Sequence, residues 1–330
     1  MVPINRRRFI GIVAGASASQ LSLARADLAV REAATWRGAI LGAPSLLRIH
    51  HPDPLVAERL ISLSVGEAQR LERIFSLYRP DSALAELNRR GALAAPPAEL
   101  VRLLSDCRRY HELTHGVFDP SVQPLWKIHV EHFSRSGAGT AGPSSEALAA
   151  ALAKVGFAHV QFSRDRVAFS KPGMSLTLNG IAQGFITDRV VDILRERGID
   201  HSLVDMGEIR AIGPRPDGGP WRVGIPGDEA AVDLVDKAVA TSSGCGFAFD
   251  PEGRFNHLFD PVTGRSPDPG RSVTVIMSTA AEADALSTAM SLMPDEAVRQ
   301  LLEDLPHGHA YVGRADHRGN HRGKPSFPLE

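Results

Sequence analysis

Residues 201–243 read HSLVDMGEIRAIGPRPDGGPWRVGIPGDEAAVDLVDKAVATSS. The runs HSLVDMG, EIRAIG, WRVGIP and DKAVATSS are short, apolar and divided by Gly and Pro. That pattern predicts brief strands joined by tight turns. Parallel neighbours would need crossovers of about a dozen residues or more, usually helical, and this stretch has no room for them. The fold class expected is therefore α+β with largely antiparallel sheets, not a doubly wound parallel sheet.

Upstream, MSLTLNG (174–180) reads as a strand running straight into the helix IAQGFITDRVVDILRERG, which ends at Gly198. Asn179 is a suitable N-cap for it, with Gly180 opening the helix. HVQFS and RVAFS flank Arg164-Asp165 as a hairpin. ILGAPSLLRIHH (40–51) reads as one strand. Apolar residues at helical spacing predict helices over 54–75 and over 98–116, the second closed by Gly116. A Gly/Ser/Pro-rich loop, 135–145, precedes a third helix at 146–154. Downstream, SVTVIMS is a strand leading to Thr279, and Thr279 with Glu282 forms a capping-box pattern for a helix ending before Pro294.

The 330 residues include 43% hydrophobic and 23% charged positions, with a net charge of -1. These values fit a globular enzyme and offer no basic surface for nucleic acid. Cys107 and Cys245 are too few for a disulfide framework. The start of the chain, NRRRFIGIVAGASASQLSLARA, has a basic region, a short apolar run and Ala24-Arg25-Ala26. It reads as an export signal of the twin-arginine kind, cleaved after Ala26. The expected organisation is a signal peptide over 1–26 and a periplasmic domain over 27–330.

Five stretches hold candidate chemistry. LNGIAQG offers free N–H groups and a positive dipole end at a helix start, a seat for phosphate or an ordinary cap. TSSGCG (241–246) offers hydroxyls and bare N–H groups, or is a solvated loop. In FNHLFDPVTG, His257 has the ring pKa range of a general base, or is structural. GVFDP places Phe118 and Asp119 before Pro120, to hold an aromatic cofactor or to anchor a loop. ADALSTAM (283–290) puts Asp284 and Thr288 one helical turn apart. The pair suits Mg²⁺, a hard cation that takes oxygen ligands. Alternatively Thr288 bonds back to the Asp284 carbonyl and Asp284 caps something nearby.

Taken in order, RIFSLYRPDSALAELN, GVFDPSVQPL, LNGIAQG, VDMGEIRAIG, AVATSSG, HLFDPVTG and ADALSTAM resemble the FAD:protein FMN transferase, or ApbE, family. The resemblance spans most of the chain after the leader. It implies a two-lobed fold with the flavin site between the lobes. It also implies Mg²⁺-dependent cleavage of FAD, release of AMP and transfer of FMN to a Thr or Ser hydroxyl of a target flavoprotein. Hydrolysis of FAD with water as acceptor, or FAD binding without turnover, are the alternatives.

Carried over by position, Gly180 (through its carbonyl), Asp284 and Thr288 match the metal ligands. His257 matches the candidate base. Leu41, Tyr78, Val117, Phe118, Asp119, Thr177, Gln183 and Phe259 match FAD-contacting positions. Many members have Asp at the Thr177 position, Lys or Glu at Gln183, and Met-Gly-Thr where this chain has Leu41-Gly-Ala. TLNGIAQG with a twin-arginine leader is similar to an exported branch, some of whose members accompany nitrous-oxide respiration.

Overall fold

The computed structural model describes residues 33–225 and 230–314. The leader expected at 1–26 lies outside the described residues. Strands β1 (Ala34–Ile40) and β2 (Ala43–Ile49) come first, followed by α1 (Pro54–Phe75), α2 (Ala83–Arg90), β3 (Ala92–Ala94) and α3 (Ala98–Leu113). Then come α4 (Gln123–Phe133), α5 (Ser145–Leu152), β4 (Val160–Phe162), β5 (Arg166–Phe169) and α6 (Ala182–Glu196). The chain continues through β6 (Ser202–Asp205), β7 (Ile209–Ile212), β8 (Trp221–Gly224), β9 (Ala231–Leu234) and β10 (Ala238–Ser243). It ends its described part with β11 (Arg271–Met277), α7 (Ala280–Leu292), α8 (Asp295–Glu303) and β12 (His309–Arg314).

Seven strands form the central sheet in the order β1-β2-β6-β7-β10-β11-β12, every neighbouring pair antiparallel. The α+β, antiparallel expectation holds. In β11 alternate residues face opposite ways, as a period of two requires. Val273, Val275 and Met277 enter the main core with Leu286 and Met290 of α7. Ile276 enters a second core with Trp221, Val223, Val232 and Leu234 of the β8–β9 hairpin. Helices therefore cover one face of the sheet and the hairpin covers the other, so β11 is buried along its whole length. The second lobe is an aromatic cluster in which Leu125 and His129 of α4 meet Phe249 and Phe259 of the long β10–β11 connection.

Three local expectations change. The segment 40–51 is two strands, not one, because Leu41 (φ 50) and Gly42 (φ 83) form a left-handed two-residue turn. Two positive φ values in succession match the right-handed twist of a hairpin, and Gly42 adopts its value without strain. MSLTLNG forms no strand: Asn88 brackets Leu176, its Nδ2 donating to the carbonyl and its Oδ1 accepting from the N–H, at 2.8 and 2.7 Å. A side chain thus takes the place of a ladder. Helix α6 begins at Ala182 with Ile181 at the cap position and no cap from its own segment. Asn179 is not its N-cap, because a carboxylate from another helix meets the first turn.

Candidate active site

That carboxylate is Asp284. Its Oδ2 accepts from the Gly184 N–H at 3.1 Å, joining the third residue of α6 to the middle of α7. The two helices meet closely there. A Cβ on Gly184 would lie 2.3 Å from the Ala280 carbonyl oxygen and 2.6 Å from the Ala281 Cα. One turn earlier, a Cβ on Gly180 would lie 2.8 Å from Thr288 Oγ1. The structure therefore brings Gly180, Asp284 and Thr288 together in one cradle. Ser242 at the end of β10 joins it, 2.8 Å from Ser287 Oγ and 3.4 Å from Thr288 Oγ1. It is Ser287, not Thr288, that donates back to the Asp284 carbonyl, at 3.0 Å.

The geometry makes Gly184 a sharp test of the cradle. Gly184→Ala is expected to lower stability by about 3 kcal/mol, because backbone atoms and not a flexible side chain oppose the new methyl. Gly66→Ala in α1 is the control. No atom lies within 4 Å of its Cβ position, and alanine is the better helix former. Thermal unfolding should show a large drop for the first variant and none for the second.

Burial removes Asp284 from water and pushes its carboxyl up to about 8, against the pull of the Gly184 N–H. Glu208, at the head of β7, is also pushed well up, first by burial and then by the charges of Asp284 and Asp205. Among the described residues no three His, Cys, Asp or Glu side chains converge on a cation position. A cation here would be held by one carboxylate with hydroxyl and carbonyl oxygens. Those donors fit Mg²⁺, and the burial of Asp284 with no cationic side chain beside it among the described residues is what such an ion would offset.

His257 stands on the β10–β11 connection, with Gly246 against its ring: a Cβ there would be 3.0 Å from Cε1. Its Nδ1 lies 3.3 Å from the Phe247 carbonyl. With Nδ1–H donating to that oxygen, Nε2 is the atom left to accept a proton. Burial lowers the ring pKa, only partly countered by the Phe247 carbonyl, so the imidazole is neutral near pH 7.

A model of the ApbE family matches residues 46–312. The chain belongs to the ApbE family. The FAD:protein FMN transferase of Vibrio cholerae is 32% identical over 234 residues, 67% of this chain and 69% of its own length. That of Klebsiella pneumoniae is 28% identical over 286 residues, covering 82% and 78%. Among solved structures, the apo form of the flavinyl transferase ApbE from Pseudomonas stutzeri superposes with a TM-score of 0.73 at 28% identity, covering 88% of this chain and 94% of that one. The ApbE protein of Thermotoga maritima superposes with a TM-score of 0.74 at 28% identity, covering 85% and 94%.

In this ApbE chain the other expected contacts fall into two groups. Near the cradle, the Asn179 Nδ2 approaches Tyr78 Oη at 3.4 Å, and Thr177 Oγ1 accepts from the Asn179 N–H at 3.3 Å. Gln183 is buried against Gly207, and its Nε2 has no hydrogen-bond partner among the described residues. A buried unpaired amide is costly, so this is a group with unused capacity facing the loop between β6 and β7. The rest are held in packing. Leu41 and Phe118 lie in the main core with Val117 against it, and Phe259 lies in the aromatic cluster. The Asp119 carboxylate is taken up by the Ser121 N–H and hydroxyl and by the Phe157 N–H. Sequence reasoning missed Glu208 and Asp205, and it singled out the TSSGCG stretch for its hydroxyls without giving Ser242 a role. A charged residue between Gly207 and an apolar strand, and the central hydroxyl of TSSG, were the available signals.

Asp205 gives the fold a pH dependence. Burial raises its carboxyl to about 6, opposed by the Gly207 N–H at 3.0 Å. A carboxyl raised in the folded state is bound to a proton there while the unfolded chain has released it. Stability is then greatest below the ordinary value near 4 and falls as pH rises to about 6. Asp205→Asn is expected to remove that slope, on the order of 1–3 kcal/mol, from denaturation midpoints measured between pH 4 and 7.

Proposed function

We propose that this chain is a Mg²⁺-dependent FAD:protein FMN transferase, moving FMN from FAD to a Thr or Ser hydroxyl of a target flavoprotein with release of AMP. The enzyme class is that of the Vibrio cholerae and Klebsiella pneumoniae relatives. The observation that supports the reading is the cradle itself: a buried Asp284 and a half-buried Thr288 pressed against the Gly180–Gly184 helix start.

Gly180, Asp284 and Thr288 would hold the cation, which when bound supplies positive charge to the pyrophosphate oxygens. The N-terminus of α6 adds its own positive dipole end. His257 Nε2 takes the proton of the incoming hydroxyl. The hydroxyl oxygen bonds to the FMN phosphorus as the phosphorus–oxygen bond to AMP breaks, and AMP leaves with that electron pair. The nucleophile belongs to the partner, so the enzyme contributes positioning, charge and a base.

The twin-arginine pattern of residues 5–26 supports the further reading that this chemistry takes place in the periplasm, with a periplasmic or membrane-bound flavoprotein as the acceptor. The test is incubation with FAD, Mg²⁺ and candidate flavoproteins followed by mass spectrometry. A gain of one FMN on a Thr or Ser is expected. FMN and AMP released without a protein adduct would make the chain an FAD pyrophosphatase, and tight FAD binding without turnover a carrier.

A further inference from the structure

Helices α6 and α7 cap each other. The Asp284 carboxylate of α7 accepts from the Gly184 N–H in the first turn of α6. One turn along from Gly184, Asp188 of α6 returns the interaction. Its Oδ1 accepts from the Ala280 N–H at 2.8 Å and its Oδ2 from the Ala281 N–H at 2.9 Å. Those are the first two residues of α7, whose donors have no partner within their own helix. Arg210 of β7 donates to Asp188 Oδ1 at 2.6 Å and fixes the carboxylate from behind. The contact is largely buried, with the side chains of Arg210 and Asp188 9% and 17% exposed.

We infer that Asp188 is a positioning residue for the cation seat. It sets the register of α7 along α6, and with it the reach of Asp284 and Thr288 to Gly180. The inference rests on the seat proposed above. Two bonds from one rigid carboxylate to successive N–H groups define both height and rotation of the helix start. Asp284 lies four residues beyond Ala280 and Thr288 eight residues beyond, so a shift at the first turn moves both oxygens together. The close approach of Gly184 to Ala280 and Ala281 leaves no slack to absorb it. The other end of α7 is held separately: Arg271 donates to the Met290 and Met293 carbonyls at 3.2 and 2.8 Å and pairs with Asp295 at 2.6 Å. That end anchors the helix but lies beyond both proposed ligands.

The two ends can be told apart with the full chain and Mn²⁺ as probe, free ion being counted by electron paramagnetic resonance. Asp188→Asn keeps the shape but turns an N–H₂ toward one of the two N–H groups and removes the charge facing Arg210. It should weaken Mn²⁺ binding at least about tenfold, with kcat recovering at saturating metal. Arg271→Met should lower Tm at least as far, yet leave Mn²⁺ affinity within about threefold. Asp188→Glu, which keeps the charge and displaces the carboxylate by one methylene, should weaken Mn²⁺ like Asp188→Asn. Wild-type affinity in the Asp188 variants overturns the inference, as does an equal loss in Arg271→Met. Wild-type protein that binds no Mn²⁺ instead overturns the cation seat itself.

Discussion

Asp284→Ala should abolish FMN transfer, with a loss of about 10⁴-fold or more, equivalent to roughly 5.5 kcal/mol of barrier. The size follows from what is removed together: the carboxylate that the Gly184 N–H holds in the cradle, one helical turn from Thr288, and the charge that would hold a cation against the pyrophosphate. Asp284→Asn separates these parts. Its amide oxygen can still accept from Gly184 N–H, so α6 keeps its cap while the charge is gone. Transfer should be as poor as in the alanine variant. Stability of the metal-free protein should move the other way. Because burial raises the Asp284 carboxyl, its contribution is retained at low pH and lost as pH rises through about 8. A neutral amide escapes that loss, so Asp284→Asn should unfold at a higher temperature than wild type at pH 8 without metal. A carboxylate kept at a cost to the fold is the usual mark of a functional group. Transfer at wild-type rates in Asp284→Asn would remove the cation argument.

His257→Asn should slow transfer by on the order of 10²–10³-fold while FAD binding stays close to wild type. The neutral ring has Nδ1 committed to the Phe247 carbonyl and Nε2 open as acceptor. Because burial lowers the ring pKa, the base is already in its active form at neutral pH. The acid limb of the rate profile should therefore fall below 6.5, the ordinary value, and should vanish in His257→Asn. FAD affinity measured by fluorescence and single-turnover transfer across pH 5–8 check both points. A variant that loses FAD binding along with rate would make His257 a packing residue on Gly246.

The antiparallel class was legible because β6, β7, β8 and β10 are short, are cut by Gly and Pro and leave no room for crossover helices, a signal that needs only neighbouring residues. Helix α1 was legible for the same reason: Asp53 caps it, Pro54 starts it and one apolar stripe runs to Phe75. What escaped depends on partners far along the chain. Leu41 reads as a strand residue, yet the hairpin turns there, and Glu72 from α1 accepts its N–H at 3.1 Å. Asn179 has the chemistry of a cap, but the side chain that meets the first turn is Asp284, 100 residues beyond Gly184. Asp119 looks free beside Phe118, but Phe157, 38 residues on, uses its carboxylate. In the site, the pairing of Asp284 with Thr288 follows from helical spacing. Glu208, just before β7, and Ser242 of β10 are made adjacent to it only by the sheet order.

The separation between Gly184 and Asp284 also bears on how the molecule is made. During synthesis α6 emerges with its first turn uncapped and one flank bare, and about a hundred residues must follow before α7 can cover it. The sheet has the same delay, since β1 opens one edge and β12 closes the other. Contacts this remote in sequence form late and slowly, after much loop-closure entropy has been lost. The nascent chain thus has no functional half: the cradle comes into being in the same step that completes the domain, and an incomplete chain exposes the apolar flank of α6 to aggregation instead.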